Sequence, residues 1–160
     1  MNRMRKVLIA DDEVKVGQLV KRLIQWDRLG LTCIGLVTDG QTAYEKILSE
    51  SPDIVITDIR MPVLTGLEMI QKASEQGVKC HFIVVSGYKY FDYAQKALKY
   101  GVEDYLLKPI DEDELNRQLQ KIVAEEEQRE DKQQQVNQIE KKLEDSKYLR
   151  HKEFLRQILS

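Results

Sequence analysis

The sequence predicts an α/β domain, a doubly wound parallel sheet of five strands, with a helical extension at its C-terminus. Five short apolar runs alternate with segments of helical spacing through about the first 120 residues. Strands separated by helices in this way form right-handed crossovers and a sheet covered on both faces. From Glu125 to Glu144, in contrast, the chain is almost wholly Glu, Gln, Lys, Asp and Arg, without proline or glycine. That composition favours an exposed helix.

Val7–Ala10 is the first strand, a continuous apolar run suited to burial on both faces. Val14–Trp26 is helical, because Val16, Leu19, Val20, Leu23 and Ile24 recur at the spacing of one helix face. Leu31–Val37 is the second strand, nearer a sheet edge because threonine, cysteine and glycine interrupt it. Asp39 can cap the next helix, which runs through Ala43, Tyr44, Ile47 and Leu48. Ser51-Pro52-Asp53 turns the chain into the third strand, Ile54–Thr57. Leu64–Ala73 is helical and closes near Gly77, and Phe82–Val85 is the fourth strand, ending at Ser86-Gly87. Tyr90–Tyr100 is helical and stops at Gly101, a left-handed C-cap. Tyr105–Leu107 is the fifth strand, and a long helix starts between Asp111 and Glu114.

At 160 residues the chain fits one domain plus an appendage, divided as 1–125 for the sheet domain and 126–160 for a helical linker. A net charge of −2 carries no global signature of nucleic-acid binding. Cys33 and Cys80 are the only cysteines; neither has a partner at metal-ligand spacing, so both read as buried free thiols. The apolar runs are far too short to span a membrane, and the basic start leads straight into a strand rather than a signal-peptide core. The expectation is a cytoplasmic chain with reduced thiols and no membrane partner.

The chemistry lies at the strand ends. Asp11 and Asp12 close the first strand, Asp58 the third, Ser86 the fourth and Lys108 the fifth. In an open α/β sheet the carboxyl ends of parallel strands meet on one edge. Each pair alone has a plain structural reading, such as a helix cap or a turn. Jointly they gather three carboxylates, a hydroxyl and an amine in one pocket. Carboxylates that close repel unless a cation sits among them, and an oxygen-only ligand set suits Mg²⁺ with a phosphate in its coordination shell.

Over residues 5 to 125 the chain resembles the receiver domain of two-component response regulators. The resemblance rests on Ile9-Ala10-Asp11-Asp12-Glu13, Thr57-Asp58-Ile59-Arg60-Met61-Pro62, Val85-Ser86-Gly87 and Leu107-Lys108-Pro109, in order and at the family's separations. It implies a flavodoxin-like (CheY-like) strand order, 2-1-3-4-5, and a signalling phosphoacceptor rather than an enzyme, one that assists its own phosphorylation and dephosphorylation. Asp58 would accept a phosphoryl group from a sensor histidine kinase. Asp11, Asp12, Asp58 and the Arg60 backbone carbonyl would hold Mg²⁺, with Ser86 and Lys108 on the phosphoryl oxygens and a cis Lys108–Pro109 bond. Ser86 and Tyr105 would form a switch: the Ser86 hydroxyl swings toward the phosphoryl group and Tyr105 turns inward, altering the face built by the helix over 90–100, the fifth strand and the start of the last helix. Tyr88, Tyr90, Tyr93 and Tyr100 cluster around that face and suit a homodimer formed on phosphorylation, although Tyr93 reads better as packing. Arg60 and Tyr88, each two residues beyond a site residue, are large enough to shield an acyl phosphate from water, so slow self-dephosphorylation is expected.

The segments Ser86–Ala94 and Gly101–Pro109 are similar to receivers that precede AraC-type DNA-binding domains, and Lys152–Leu159 to the connector in such regulators. No helix-turn-helix lies within the chain, so DNA would be bound only through an output domain beyond it. A haloacid-dehalogenase-like phosphatase fits poorly, since its nucleophile ends strand one in Asp-x-Asp. A flavodoxin-like cofactor binder would need a phosphate loop where this chain has three acids. The remaining alternative is a receiver used for phosphorelay or dimerisation without DNA output. In the tail, Ile122, Arg129, Val136 and Leu143 fall at sevenfold steps, one seam of a coiled coil, yet Arg129 is polar and Glu126 and Gln133 flank it. A parallel coiled coil and a single solvated connector helix both fit. The last apolar positions, Tyr148, Leu149, Leu155, Ile158 and Leu159, leave a face unpartnered at Ser160, as expected of a piece of a longer protein.

Overall fold

The computed structural model describes residues 3–87 and 102–159. The expected helix over 90–100, Gly101, and Tyr88, Tyr90, Tyr93 and Tyr100 lie outside the described residues. Five parallel strands, β1 (Arg5–Ala10), β2 (Leu31–Val37), β3 (Ile54–Thr57), β4 (His81–Ser86) and β5 (Val102–Leu107), form one sheet in the order β2-β1-β3-β4-β5. This is the expected fold class and strand order. The interrupted strand, β2, is an edge, and its register against β1 slips between Val7 and Leu8.

The described helices are α1 (Val14–Leu23), α2 (Trp26–Leu29), α3 (Gly40–Glu50), α4 (Gly66–Glu75) and α5 (Glu112–Leu159). One face of the sheet packs Leu8, Val55, Phe82 and Val84 against Ala43 and Ile47 of α3 and Met69, Ile70 and Ala73 of α4. On the other face α1 lies over β1; a Cβ at Gly17 would reach 4.0 Å from Ile9. Each fully buried aliphatic chain stabilises by about 2 kcal/mol, so the sheet centre carries the fold and its polar edge is free for chemistry.

Local signals set the helix ends. Asp39 caps α3 as expected, accepting from the Thr42 N–H at 2.7 Å. Thr65 and Glu68 form a capping box that starts α4 two residues later than the apolar spacing suggests. The helix expected over Val14–Trp26 is broken instead. Asn116, buried at the start of α5, accepts from the Gln25 N–H at 2.9 Å and donates to the Leu23 carbonyl at 2.9 Å. These bonds replace intrahelical ones, so the chain turns extended at Ile24 and restarts as α2.

The chain divides into two compact units, Met1–Gln120 and Lys121–Ser160. The second is helix, part of the 48-residue α5, and its side chains from Asp131 to Asp145 are exposed. Among the described residues no helix is long and apolar enough to cross a membrane.

Candidate functional site

Three backbone hydrogen bonds extend the sheet ladders just past the strand ends. The Asp11 N–H donates to Val37 at 3.0 Å, the Asp58 N–H to Ala10 at 2.9 Å, and the Lys108 N–H to Ser86 at 2.9 Å. The same sheet edge therefore presents Asp11, Asp58 and Lys108 side by side, although up to 97 positions separate them in sequence. Asp11, Asp12 and Asp58 each offer one carboxylate oxygen, and these lie within 4.8 Å of one another. The Lys108 ammonium donates to Asp58 Oδ2 at 2.9 Å and to Asp11 Oδ2 at 3.3 Å. A cleft of about 650 Å³ opens over Asp12, Asp58 and Lys108, lined also by Glu13, Arg60, Met61, Pro62 and Gly87.

Backbone amides hold both buried carboxylates in place. Asp11 Oδ1 accepts from the Glu13 N–H at 2.9 Å, and Asp58 Oδ1 from the Ile59 N–H at 2.7 Å. Gly66 lets this loop close. A Cβ there would come 2.0 Å from the Asp58 carbonyl oxygen, and the Gly66 N–H donates to Ile59 at 2.7 Å. Val63, the residue after Pro62, adopts φ +68°, a left-handed conformation unfavourable for a β-branched residue.

Electrostatics follows from the geometry. Burial pushes the Asp11 carboxyl above its usual range, the Glu13 amide opposes this, and the neighbouring Asp58 charge adds to it. Burial alone would lower the Lys108 ammonium, but its hydrogen bond to Asp58 and the charges of Asp58 and Asp11 outweigh it, so Lys108 is held protonated. Four carboxylates (Asp11, Asp12, Glu13 and Asp58) face two cations (Lys108 and Arg60), leaving a formal −2. That surplus, presented on oxygen atoms only, fits a hard divalent cation.

Ser86 ends β4 fully buried, and its hydroxyl has no hydrogen-bond partner among the described residues. Tyr105 is half-buried against the core, its hydroxyl donating to the Gly87 carbonyl at 3.1 Å. It is thereby tied to the residue after Ser86. Arg60 is exposed at the cleft rim. The Lys108–Pro109 bond is cis. Reasoning from sequence missed Gly66 and the Glu13 and Ile59 amides. Only the Thr65-x-x-Glu68 pattern beside Gly66 could have marked that turn in advance.

The sequence pattern of the response regulator receiver domain matches residues 7–120. The chain is similar to the uncharacterized transcriptional regulatory protein YesN of Bacillus subtilis, 46% identical over 122 residues, 76% of this chain and 33% of that protein. It is similar also to the transcriptional regulatory protein HptR of Staphylococcus aureus, 35% identical over 120 residues, 75% of this chain and 47% of that protein. The chain thus spans between a third and a half of the length of these relatives. Among solved structures, the REC domain of AraT, a response regulator from Geobacillus stearothermophilus, superposes with a TM-score of 0.75 at 36% identity. That match covers 79% of this chain and 98% of that domain.

Proposed function

The chain belongs to the response regulator receiver domain family, and from that premise we propose that Asp58 is its phosphoacceptor. The phosphoryl group would come from a phosphohistidine on a sensor kinase: the P–N bond breaks as a P–O bond to the Asp58 carboxylate forms, and imidazole leaves. The observation that carries this reading is the convergence of the Asp11, Asp12 and Asp58 oxygens within 4.8 Å, beside the Lys108 ammonium.

Each side chain then has a task. The Ile59 amide and Lys108 orient the Asp58 carboxylate and leave it facing the cleft. Lys108 neutralises Asp58 before transfer and pairs with the phosphoryl oxygens afterwards, as a charge-assisted donor. Asp11, Asp12, Asp58 and the Arg60 carbonyl would hold Mg²⁺, which when bound offsets the repulsion between carboxylate and phosphoryl oxygens. Ser86 keeps a buried O–H, without a partner among the described residues, that a phosphoryl oxygen would satisfy. Its movement would release Tyr105 from the Gly87 carbonyl and so alter the surface around β5, favouring a homodimer. Arg60 beside the cleft would slow hydrolysis of the acyl phosphate.

In the whole protein, residues 1–125 would be the regulatory domain and 126–160 a connector to an AraC-type DNA-binding domain, in the cytoplasm. Support comes from the relatives named as transcriptional regulators, of which this chain covers a part, and from the motifs around Ser86–Ala94 and Gly101–Pro109. The test is incubation with Mg²⁺ and acetyl phosphate, followed by intact-mass measurement. One phosphoryl increment is expected, and it disappears in Asp58→Asn or with excess chelator. An unmodified wild-type chain would refute the assignment.

A further inference from the structure

The Lys121–Ser160 unit carries an exposed stripe that is complementary to itself in one direction only. Positions 125, 129, 132, 136, 139, 143, 146 and 150 advance by alternating steps of four and three, the spacing of a two-stranded helical seam. They are Glu125, Arg129, Lys132, Val136, Ile139, Leu143, Ser146 and Arg150. Seven are exposed and Ser146 is half-buried. At the centre, Val136, Ile139 and Leu143 expose 46%, 58% and 57% of their surface, a contiguous apolar patch within the otherwise polar stretch from Asp131 to Asp145.

We infer that this stripe pairs antiparallel with the same stripe of a second copy of the chain, Val136 lying opposite Ile139 of the other copy. Two helices aligned in parallel would set each position against itself. Four of the eight layers would then juxtapose like charges: Glu125, Arg129, Lys132 and Arg150. Lys142 would also face Lys147 across the flank of a parallel pair. Reversing one helix removes every one of these conflicts. Glu125 then lies opposite Arg150, Arg129 opposite Ser146, Lys132 opposite Leu143 and Val136 opposite Ile139. On the flanks, Gln133 meets Glu140 and Gln135 meets Lys142.

The eight residues close on themselves under a two-fold axis, so no residue outside the stripe is needed, and this favours a second copy over an unrelated partner. Lys132 can lay its aliphatic stem along the apolar centre and keep its charged end in water, while Arg129 pairs with Glu126 of its own helix. The inference does not depend on phosphorylation of Asp58, and a negative result for that modification leaves it standing.

The direction of pairing is tested by charge exchange in the whole 160-residue chain, with sedimentation equilibrium as the readout and circular dichroism confirming helix content. Arg150→Glu sets glutamate against Glu125 in both symmetry-related layers and should weaken association about tenfold. Glu125→Arg should do the same. The double exchange restores the opposite-charge layers and should return the dissociation constant to within about threefold of the starting value. In a parallel pair, each single exchange merely swaps one like-charge layer for another. Unchanged association in the single variants, or failure of the double variant to recover, would therefore overturn the antiparallel assignment. A chain monomeric at every concentration would overturn the pairing itself.

Discussion

Lys108 and Asp58 form an ion pair at 2.9 Å across 50 positions of sequence, with Asp11 on the other side of the same ammonium at 3.3 Å. Lys108 thus competes with any cation for the two buried carboxylates, while supplying the charge that a transferred phosphoryl group needs. Lys108→Met separates these roles. Mg²⁺ should bind about threefold to tenfold tighter, because one positive charge has left the cleft. Phosphoryl uptake from acetyl phosphate should fall about a hundredfold, because a preorganised donor is lost. Titration calorimetry and mass-resolved kinetics read the two effects, and slower uptake accompanied by weaker Mg²⁺ binding would contradict this division of labour.

Asp12 is the exposed member of the acid cluster and contributes repulsion without a side-chain hydrogen-bond partner among the described residues. Removing it should leave the fold intact in chelator and abolish the response to metal. For the wild-type chain, Mg²⁺ at about a hundred times its dissociation constant should stabilise by about 2.7 kcal/mol. In Asp12→Ala the rise in Tm with Mg²⁺ should vanish at the same concentration. An equal shift in both chains would place the ion elsewhere.

Asp53 gives the fold a defined acid limb. Its carboxylate accepts from the Lys6 N–H at 2.8 Å and from both terminal nitrogens of Arg3, at 2.9 and 3.1 Å, and only 14% of the side chain is exposed. Burial raises its pKa, but Arg3, with further help from the Lys6 amide, outweighs this and holds it below the ordinary 3.8. A carboxyl depressed in the folded state stabilises at pH values above 3.8, and that contribution is lost as pH falls through the folded value. Because Arg3 is itself largely solvated, the contribution at neutral pH should be about 1 kcal/mol. Urea unfolding between pH 2 and 7 should show the wild-type advantage over Asp53→Asn constant near neutrality and shrinking below about pH 4. A difference that grows on acidification would reverse the sign and refute the pairing.

The architecture was legible because its signals are local and redundant. Ile54–Val55–Ile56 can only be a buried strand in this setting, and Asp39 before an apolar helix face can hardly be anything but a cap. The strand-end acids were legible for a topological reason: parallel strands put their carboxyl ends on one edge, so Asp11 and Asp58 had to meet once the sheet was inferred. What could not be seen depends on contacts distant in sequence. The apolar spacing of Val14–Trp26 is genuine, yet Asn116, more than ninety positions away, stops that helix at Leu23. Gly66 matters because the Asp58 backbone passes beneath it; the neighbouring Thr65-x-x-Glu68 pattern marks a helix start there but not that close approach.

Asn116 is accordingly where a single polar side chain should matter most for stability. Its amide also donates to Glu112 at 2.8 Å, so three backbone groups at the α1–α2 corner and in α5 depend on it. Asn116→Leu keeps the volume and orphans the Gln25 N–H and the Leu23 carbonyl, which should cost about 2–4 kcal/mol. Asn116→Asp retains the acceptor and loses the donors, and should fall between wild type and leucine. Chemical denaturation gives the order. A leucine variant as stable as wild type would mean that water serves the corner equally well.

Ser86 should behave in the opposite way. Its hydroxyl is fully buried and lacks a partner among the described residues, so in the resting fold it contributes a desolvation cost with nothing to offset it. Ser86→Ala should leave stability unchanged or raise it by up to about 1 kcal/mol. The variant should still take up a phosphoryl group on Asp58, since Lys108 and the Ile59 amide are untouched. The response that follows should be lost: Tyr105, bonded to the Gly87 carbonyl in the resting fold, would have no moving hydroxyl to follow. Tyrosine fluorescence or ring NMR signals on phosphorylation report that response directly. Destabilisation by more than about 1 kcal/mol would show that Ser86 serves the fold. A stable variant whose Tyr105 still responds would show that the signal bypasses it.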